Sequence, residues 1–330
     1  MYGRSPAGFA RIYKKGAEMA EVTNYSEMRR NFYEKYQKNI VPVVKGFDKE
    51  RKVKLTFAII ASTILSIIGC FCLLGLLVAE GDGDVIEGAL KGALFFFGLA
   101  WGVWYLIKKN FESKIKNKIM PIICSCFENL TWSEGLYGDG ELFKESGVVR
   151  HFTREIYDDI FCGSHRDVNM EIVEAEFEVG SGKNRSTVFK GVVIKLDMNK
   201  NFTSHTVITP DSFFRNSPIS GLRHTTLEDV QFEKKFDVYT NDEVDARYLI
   251  TPTFMERLMG MKTAFKASKI RCAFYGQYLL VGLSTNKDLF SLCSLVTPMD
   301  DAQQYFQMYE EIVSIVKLID HFRLDQKIGL

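Results

Sequence analysis

The chain has 330 residues and a formal net charge of +1, with 25% charged and 46% hydrophobic residues. This length allows a sizeable domain with its own core and further segments beside it. The balanced total hides a strong segregation, because residues 1–54 carry a net charge of +7, residues 108–118 of +4, residues 80–91 of −3 and residues 119–330 of −7. Since the largest part of the chain is acidic, the charge pattern excludes a basic nucleic-acid-binding domain.

Residues 1–54 are predicted to form a cytosolic helical segment. Its clearest helix is NYSEMRRNFYEKYQKNI, residues 24–40, which is rich in charged residues and tyrosine. Because proline disfavours a continuing helix, Pro42 is expected to limit it.

Two uncharged stretches follow. LTFAIIASTILSIIGCFCLLGLLVA, residues 55–79, exceeds the roughly 20 residues that a helix needs to cross a bilayer. GALFFFGLAWGVWYLI, residues 92–107, reaches that length when residues 88–91 are added, since a lysine can extend its ammonium group to the interface. Each stretch alone is also compatible with a buried core helix, but the pair with a tight connector favours transmembrane helices at 55–79 and 88–107. The first stretch is too long and too far along the chain for a cleaved signal peptide.

The charges beside the two stretches predict their orientation. Basic residues near span ends are retained on the cytoplasmic side, so both long flanks are expected in the cytosol and the short acidic loop at 80–87 outside. The same charges suit contact with an anionic inner leaflet, although the orientation signal alone is the simpler interpretation. We call the nine flanking cations the juxtamembrane basic belt; they are Lys49, Arg51, Lys52, Lys54, Lys108, Lys109, Lys114, Lys116 and Lys118.

After a predicted helical stalk at residues 108–138, which Pro121 is expected to interrupt, the sequence indicates a compact domain at 139–330. VEAEFEV, residues 173–179, alternates strictly between acidic and apolar positions, as a half-buried strand does. Further strands are predicted in TVFKGVVIKLDMNKNF, HTVIT and DVQFEKKFDVY, which begin at residues 187, 205 and 229.

The last part of the domain carries helix and hairpin signals. Thr251 as N-cap and Pro252 at the first helical position predict a helix that runs to about Phe265. KIRCAFYGQYLLVGLS is predicted to be a hairpin that turns near residues 276–277, and a final helix is expected to start at residues 300–301. The predicted fold class is therefore α+β: a two-helix transmembrane hairpin, then a cytosolic antiparallel β-meander domain with one inserted and one C-terminal helix.

Three blocks of this domain are similar to a known family. FKGVVIKLDMNKNFTSHTVITPD, FEKKFDVYTNDEVDARYLITPTFMERL and FYGQYLLVGLSTNKDLF, which begin at residues 189, 232 and 274, resemble the bacterial membrane proteins of DUF3137, a domain of unknown function. The order of an N-terminal helix, two spans and a C-terminal domain is similar too. The resemblance implies a bacterial source, a membrane location and a single intracellular domain. Combined with the flanking charges, it predicts a protein of the bacterial cytoplasmic (inner) membrane with both termini in the cytosol. It implies no activity and no site residues.

Signatures of catalysis are weak. HRD at residues 165–167 lacks the asparagine that a kinase catalytic loop places five positions later, where this chain has Ile172. GSGK at residues 180–183 lacks the remaining positions of a phosphate-binding loop. No cofactor-binding or metal-binding residues are predicted.

The densest group of polar side chains lies between residues 151 and 167. Imidazole and carboxylate groups could gather there as a metal or acid/base site, although solvated loop residues are the simpler interpretation. The candidate catalytic residues are His151, Asp159, His165 and Asp167, with Asp158 beside them.

The sequence thus favours a membrane-anchored cytosolic binding module. A module without enzymatic activity is the simpler interpretation. The expected partners are the bilayer itself and either a protein partner or a second copy of the chain. The alternative is a membrane-bound enzyme of the metal or acid/base hydrolase type that uses the window from residue 151 to residue 167.

Overall fold

The computed structural model describes residues 24–78, 82–127, 129–149, 151–211, 219–227, 229–287, 289–290, 292, 294–296, 299 and 301–328. The chain divides into two compact units. One is Met1–Ile122 with Ser291–Ala302, and the other is Ile123–Phe290 with Gln303–Leu330.

The first described helix of this unit does not end at Pro42. The chain is helical from residue 24, where the described residues begin, widens into a π-helix over Tyr36–Ile40 and continues as helix α1, Val41–Val78. A π-helical turn changes the hydrogen-bond spacing of the backbone, so a proline that removes a donor is accommodated in the following turn. The expectation that Pro42 limits this helix is therefore wrong.

Helix α2, Gly83–Cys124, packs antiparallel to α1. Small residues let the two backbones approach: a Cβ atom built on Gly92 would lie 3.2 Å from Cys72 Sγ, and one built on Gly69 would lie 3.3 Å from the Phe97 ring. At the other end, Lys114 pairs with Glu50 at 2.8 Å. Close packing at small residues is the usual way in which two apolar helices associate.

Two boundaries of the helical part differ from expectation. Helix α2 starts at Gly83, so residues 83–87 of the loop expected at 80–87 are helical, while residues 79–81 lie outside the described residues. Pro121 lies inside α2, which continues to Cys124. The expected stalk at 108–138 ends in a strand, β1, Thr131–Glu134, and is not helical throughout.

In the residues that the structure describes, the second unit has nine strands in one antiparallel sheet. Their order across the sheet is β1-β2-β3-β4-β9-β8-β5-β7-β6. The strands after β1 are β2 Arg154–His165, β3 Val168–Val179, β4 Ser186–Asp197, β5 Thr206–Pro210, β6 Arg223–Thr225, β7 Phe236–Thr240, β8 Lys269–Tyr275 and β9 Tyr278–Ser284. Strands β1 to β4 form a meander, in which each strand pairs with the next one in the chain. The meander stops at β4, because the other neighbour of β4 is β9 and not β5. The prediction of an antiparallel α+β domain is confirmed. The prediction that the whole sheet is a meander is wrong.

Five further helices accompany the described strands, one between β1 and β2, three between β6 and β8 and one after β9. Short helices are α3 Gly140–Glu145, α4 Val230–Glu233 and α5 Glu243–Leu249, and longer ones are α6 Pro252–Ala264 and α7 Ala302–Ile328. Helix α6 matches its prediction, since the Thr251 hydroxyl accepts a hydrogen bond from the Phe254 amide. The hairpin β8–β9 and the C-terminal helix are also confirmed.

The strand predicted from Asp229 onward is partly wrong. The Asp229 carboxylate accepts hydrogen bonds from the amides of Gln231 and Phe232 and so starts α4; only Phe236–Thr240 is extended. A short polar side chain at an N-cap competes effectively with strand pairing.

The core lies against the sheet. One cluster of fully or almost fully buried apolar side chains joins α3 and residues 148–152 to the strands, and it includes Phe143, Val148, Phe177, Phe189, Val193 and Leu280. Helix α7 buries a long stripe that includes Tyr305, Ile312, Ile315 and Ile319.

Candidate functional site

A bulge in β2 brings three carboxylates together. Tyr157 pairs with Ala175 and Ile160 with Val173, so Asp158 and Asp159 both lie opposite Glu174. Two residues opposite one is the definition of a β-bulge, which turns adjacent side chains towards the same place. Oxygen atoms of all three residues lie within 4.8 Å of one another. We call Asp158, Asp159 and Glu174 the carboxylate cluster.

The members of the cluster differ in burial. Asp159 is fully buried and accepts a hydrogen bond of 2.7 Å from Trp132 Nε1 on β1, whereas Asp158 is exposed. Glu174 Oε1 accepts a hydrogen bond of 3.4 Å from the Leu289 amide. Three carboxylate oxygens are hard ligands of the kind that Ca²⁺ and Mg²⁺ prefer, but these ions take six or more oxygens. The cluster therefore offers a partial ligand set.

His165 and Asp167 lie at the other end of β2. His165 Nε2 is 2.8 Å from Asp320 Oδ1 on α7, and an Arg166 nitrogen is 3.1 Å from the same atom. Asp320 is 1% exposed and the Arg166 side chain is 41% exposed, so the two residues of the β2–β3 turn contact a buried carboxylate on the C-terminal helix from the edge of the domain. Arg166 and Asp167 have φ values of 47° and 66°, as the two central residues of a tight hairpin require.

The predicted catalytic residues are thus distributed over three places. His151 is exposed and precedes β2, Asp159 is in the bulge and His165 ends the strand. Six residues of strand separate Asp159 from His165, which corresponds to about 20 Å. Only Asp158 and Asp159, with Glu174, are brought together. The window from residue 151 to residue 167 is largely strand β2 and the turn after it rather than loop.

Part of the basic belt is neutralised within the helical hairpin. Asp48 and Glu50 each accept two cations, and the pKa of each carboxyl is held below its usual range, mainly by hydrogen bonds from Lys52 and from Lys114 respectively. Arg51 is also almost fully buried and donates to the carbonyl oxygen of Leu295 at 3.3 Å. The four ion pairs are Arg51–Asp48 at 2.9 Å, Lys52–Asp48 at 2.8 Å, Lys54–Glu50 at 3.1 Å and Lys114–Glu50 at 2.8 Å.

The remaining belt residues divide by exposure. Lys116 is buried, and Lys108 lies 3.9 Å from Glu112. Lys49, Lys109 and Lys118 are exposed and have no ion pair to another described residue. These three are the belt cations that remain available to an outside partner.

A second polar feature was not predicted from the sequence. A cleft of about 530 Å³ lies where β4 begins, β9 ends and β8 begins. Its polar lining comprises Lys190, Lys269, Arg271, Asn286 and four hydroxyl side chains, and we call it the cationic cleft. A neighbouring cleft of about 300 Å³ shares Lys190 and Asn286 with it but is also lined by Asp158, Glu174 and Glu176, and we call it the acidic cleft.

Lys190 stands on the boundary of the two clefts. It pairs with Glu176 across β3 and β4 at 2.8 Å, and this hydrogen bond holds the pKa of Glu176 below its usual range. Lys269 is exposed and has no ion pair to another described residue. The sequence could not reveal this cleft, because its three strands come together only in the folded sheet.

One comparison with known proteins, the scan against family models, agrees with the resemblance. The model of the family described as "Protein of unknown function (DUF3137)" matches residues 187–324, which confirms the family resemblance in that segment. No curated protein matches the chain. The crystal structure of the mycobacterial trehalose monomycolate transport factor A, TtfA, is similar with a TM-score of 0.26 and 10% identity, covering 49% of this chain and 73% of that one. A TM-score this low does not indicate a shared fold.

Proposed function

We propose that this protein, whose residues 187–324 match DUF3137, is an inner-membrane protein that holds a cytosolic binding module at the membrane. In this proposal residues 55–79 and 88–107 cross the bilayer as a hairpin and the α+β domain binds a partner on the cytosolic side. The proposal treats the domain as a binding module without catalytic function.

The observation that carries the proposal is the exposure of the apolar helices. Both helices are long and apolar enough to cross a membrane, yet only 11% of each apolar window is buried. Phe71, Leu77 and Leu94 are 71%, 81% and 74% exposed. A core helix of a soluble protein would bury such side chains, at roughly 1.5–3 kcal/mol for each one removed from water. A surface of this kind matches lipid better than water.

The ends of the hairpin support the proposed orientation. Trp101 and Tyr105 stack at 5.5 Å near the end of the second span, where aromatic rings favour the interface. The exposed cations Lys49, Lys109 and Lys118 follow on that side. Anionic lipids attract such cations by about 1 kcal/mol each, so the belt favours contact with the inner leaflet.

Cysteine labelling tests the topology. In a variant without the native cysteines, Gly83→Cys is expected to react with an impermeant thiol reagent in intact cells, and Lys183→Cys to react only after lysis. Lys183 lies in the second unit at an exposed turn, so its reactivity after lysis provides the matched control for accessibility. The reverse pattern would contradict the proposed compartment, and release of the protein from membranes by alkaline carbonate would contradict integral insertion.

A membrane-bound enzyme is the second candidate function, and the carboxylate cluster is the observation that favours it. If the cluster holds a catalytic cation, Mn²⁺ added to the full-length protein in detergent should lose its free electron-spin-resonance signal. Asp158→Asn should abolish that loss, while Asp211→Asn, at an exposed position outside the cluster, should not. No loss of signal with the unaltered protein would remove this candidate.

A further inference from the structure

We infer that the cationic cleft binds an anion that carries a phosphate group, supplied either by a phospholipid headgroup or by a soluble organic phosphate. This inference deepens the proposed function, because it names a ligand class for the binding module. It rests on the proposed function only for the compartment from which the ligand comes. The cleft volume of about 530 Å³ falls in the range of small-molecule sites. A bare phosphate ion would fill only part of it, so the ligand has a polar body beside its phosphate.

The charge of the cleft opposes that of its surroundings. Residues 119–330 carry a net charge of −7, yet the described residues that line the cleft include three cations and no carboxylate. Lys269 and Arg271 are two positions apart on β8 and therefore point to the same face of the sheet. Their Cα atoms are about 7 Å apart, so the two side chains can converge on one phosphate group.

The strand opposite β8 is covered by a packed core residue beside these cations. Lys269 lies opposite Ser284 and Arg271 lies opposite Gly282 on β9. A Cβ atom built on Gly282 would lie 2.8 Å from Val148 Cγ1, so Val148 packs directly over the backbone of β9 and forms a fixed wall. The cleft is therefore bounded by a packed core residue and does not depend on a mobile surface chain.

Hydroxyl groups supply additional donors. Ser268 Oγ donates to the carbonyl oxygen of Ser284, and Thr187 donates to Glu176, so these two hydroxyls are already engaged. The hydroxyls of Ser186 and Ser284 form no hydrogen bond to another described residue. Serine hydroxyls beside lysine and arginine are suited to a ligand with several oxygen acceptors, such as a phosphorylated polyol.

The acidic cleft limits where such a ligand can lie. Glu176 binds Lys190 on the shared boundary, and Asp158 and Glu174 lie beyond it. An anion is repelled from that side and attracted to Lys269 and Arg271. The phosphate is therefore expected at the β8 end of the cationic cleft, away from Lys190.

Lysine acetylation of the full-length protein tests this assignment. The rate at which Lys269 is acetylated is read from its peptide by mass spectrometry, and Lys262 on α6, which does not line the cleft, is the control in the same molecule. One arm adds glycerol 3-phosphate to the protein in an uncharged detergent at constant ionic strength. The other compares nanodiscs of pure phosphatidylcholine with nanodiscs that contain about 30% phosphatidylglycerol, a fraction that makes the bilayer surface anionic.

Binding is expected to slow acetylation of Lys269 about fivefold or more at saturating ligand and to leave Lys262 unchanged. Protection with glycerol 3-phosphate alone identifies a soluble phosphate as the source, and protection with phosphatidylglycerol alone identifies a lipid headgroup. Arg271→Gln should abolish the protection of Lys269, and Arg271→Lys should retain part of it, with the thermal unfolding midpoint of each variant confirming that it is folded. No protection in either arm, or equal slowing at Lys262, would overturn the inference. An incorrect topology would be detected by the cysteine labelling and would leave the detergent arm unaffected.

Discussion

Replacing Glu311 with glutamine tests whether a buried carboxyl group makes the domain sensitive to pH. Glu311 lies on α7 with no exposed surface, and its Oε1 atom accepts a hydrogen bond of 2.9 Å from Gln307. The charged groups that lower its pKa are the ammonium groups of Lys266 and Lys287, and Lys266 also donates to Gln307. Burial outweighs them and raises the pKa of Glu311 to about 7 from its ordinary value of 4.5.

The direction of the pH effect follows from this pKa. Between pH 4.5 and about pH 7 the folded protein keeps a proton on Glu311 that the unfolded chain releases. Stability contributed by this proton is present at low pH and is lost as the pH rises through that window. The difference between the two pKa values corresponds to about 3 kcal/mol of unfolding free energy above pH 7.

The assay is denaturant unfolding of the full-length protein in detergent at pH 5 and pH 8. Glu311→Gln keeps the side-chain shape and the contact with Gln307 but does not titrate, so the variant should be more stable than the unaltered protein by up to about 3 kcal/mol at pH 8. The difference should shrink towards zero at pH 5. Glu310→Gln, at the next and partly exposed position, is the matched control and should show no such pH dependence. Parallel pH curves for the unaltered protein and Glu311→Gln would refute the reasoning.

Other predictions concern packing, a buried ion pair and a helix cap. Gly92→Leu should separate the helical hairpin, because even a Cβ atom there would touch the facing helix at 3.2 Å; the measure is faster exchange of amide hydrogens along α2. Asp320→Ala leaves His165 and Arg166 without their buried acceptor and should cost about 1–3 kcal/mol of unfolding free energy, while the double change with His165→Ala should recover part of that loss. Thr251→Ala removes the cap of α6 and should cost about 1 kcal/mol in the same unfolding assay, whereas Thr251→Ser should cost much less.

Local signals in the sequence predicted local structure well. The Thr251–Pro252 pair predicted the start of α6, and the glycine at position 276 predicted the β8–β9 turn, because each depends on a few adjacent residues. Where two local signals for different secondary structures compete, the sequence-based prediction followed the weaker one. Asp229 starts a helical turn inside a segment with strand-like composition, and the π-helix before Pro42 keeps α1 continuous.

Features that join distant segments could not be read from the sequence. The bulge in β2 interrupts the alternation of REIYDDIFCGSH at its two aspartates, which is the signal that could have revealed it. The cationic cleft gives no such signal, since Lys190 and Lys269 come from strands that β9 joins only in the folded sheet. The pairing of His165 with Asp320 likewise spans 155 positions of sequence.

Positive and negative charges are separated within the second unit, and this separation limits where an anion is attracted. Residues 119–330 carry a net charge of −7, and at physiological salt the repulsion between this charge and an anion is screened beyond a Debye length of about 8 Å. Attraction is therefore confined to the cleft itself, where Lys269 and Arg271 lie on one face of β8. If two cations contact the ligand, its affinity should fall with salt less steeply than that of a polybasic surface, whose many contacts each contribute to the salt dependence. Repeating the acetylation assay at increasing chloride concentration measures this slope, and a steep loss of Lys269 protection would contradict a site in which only two cations contact the ligand.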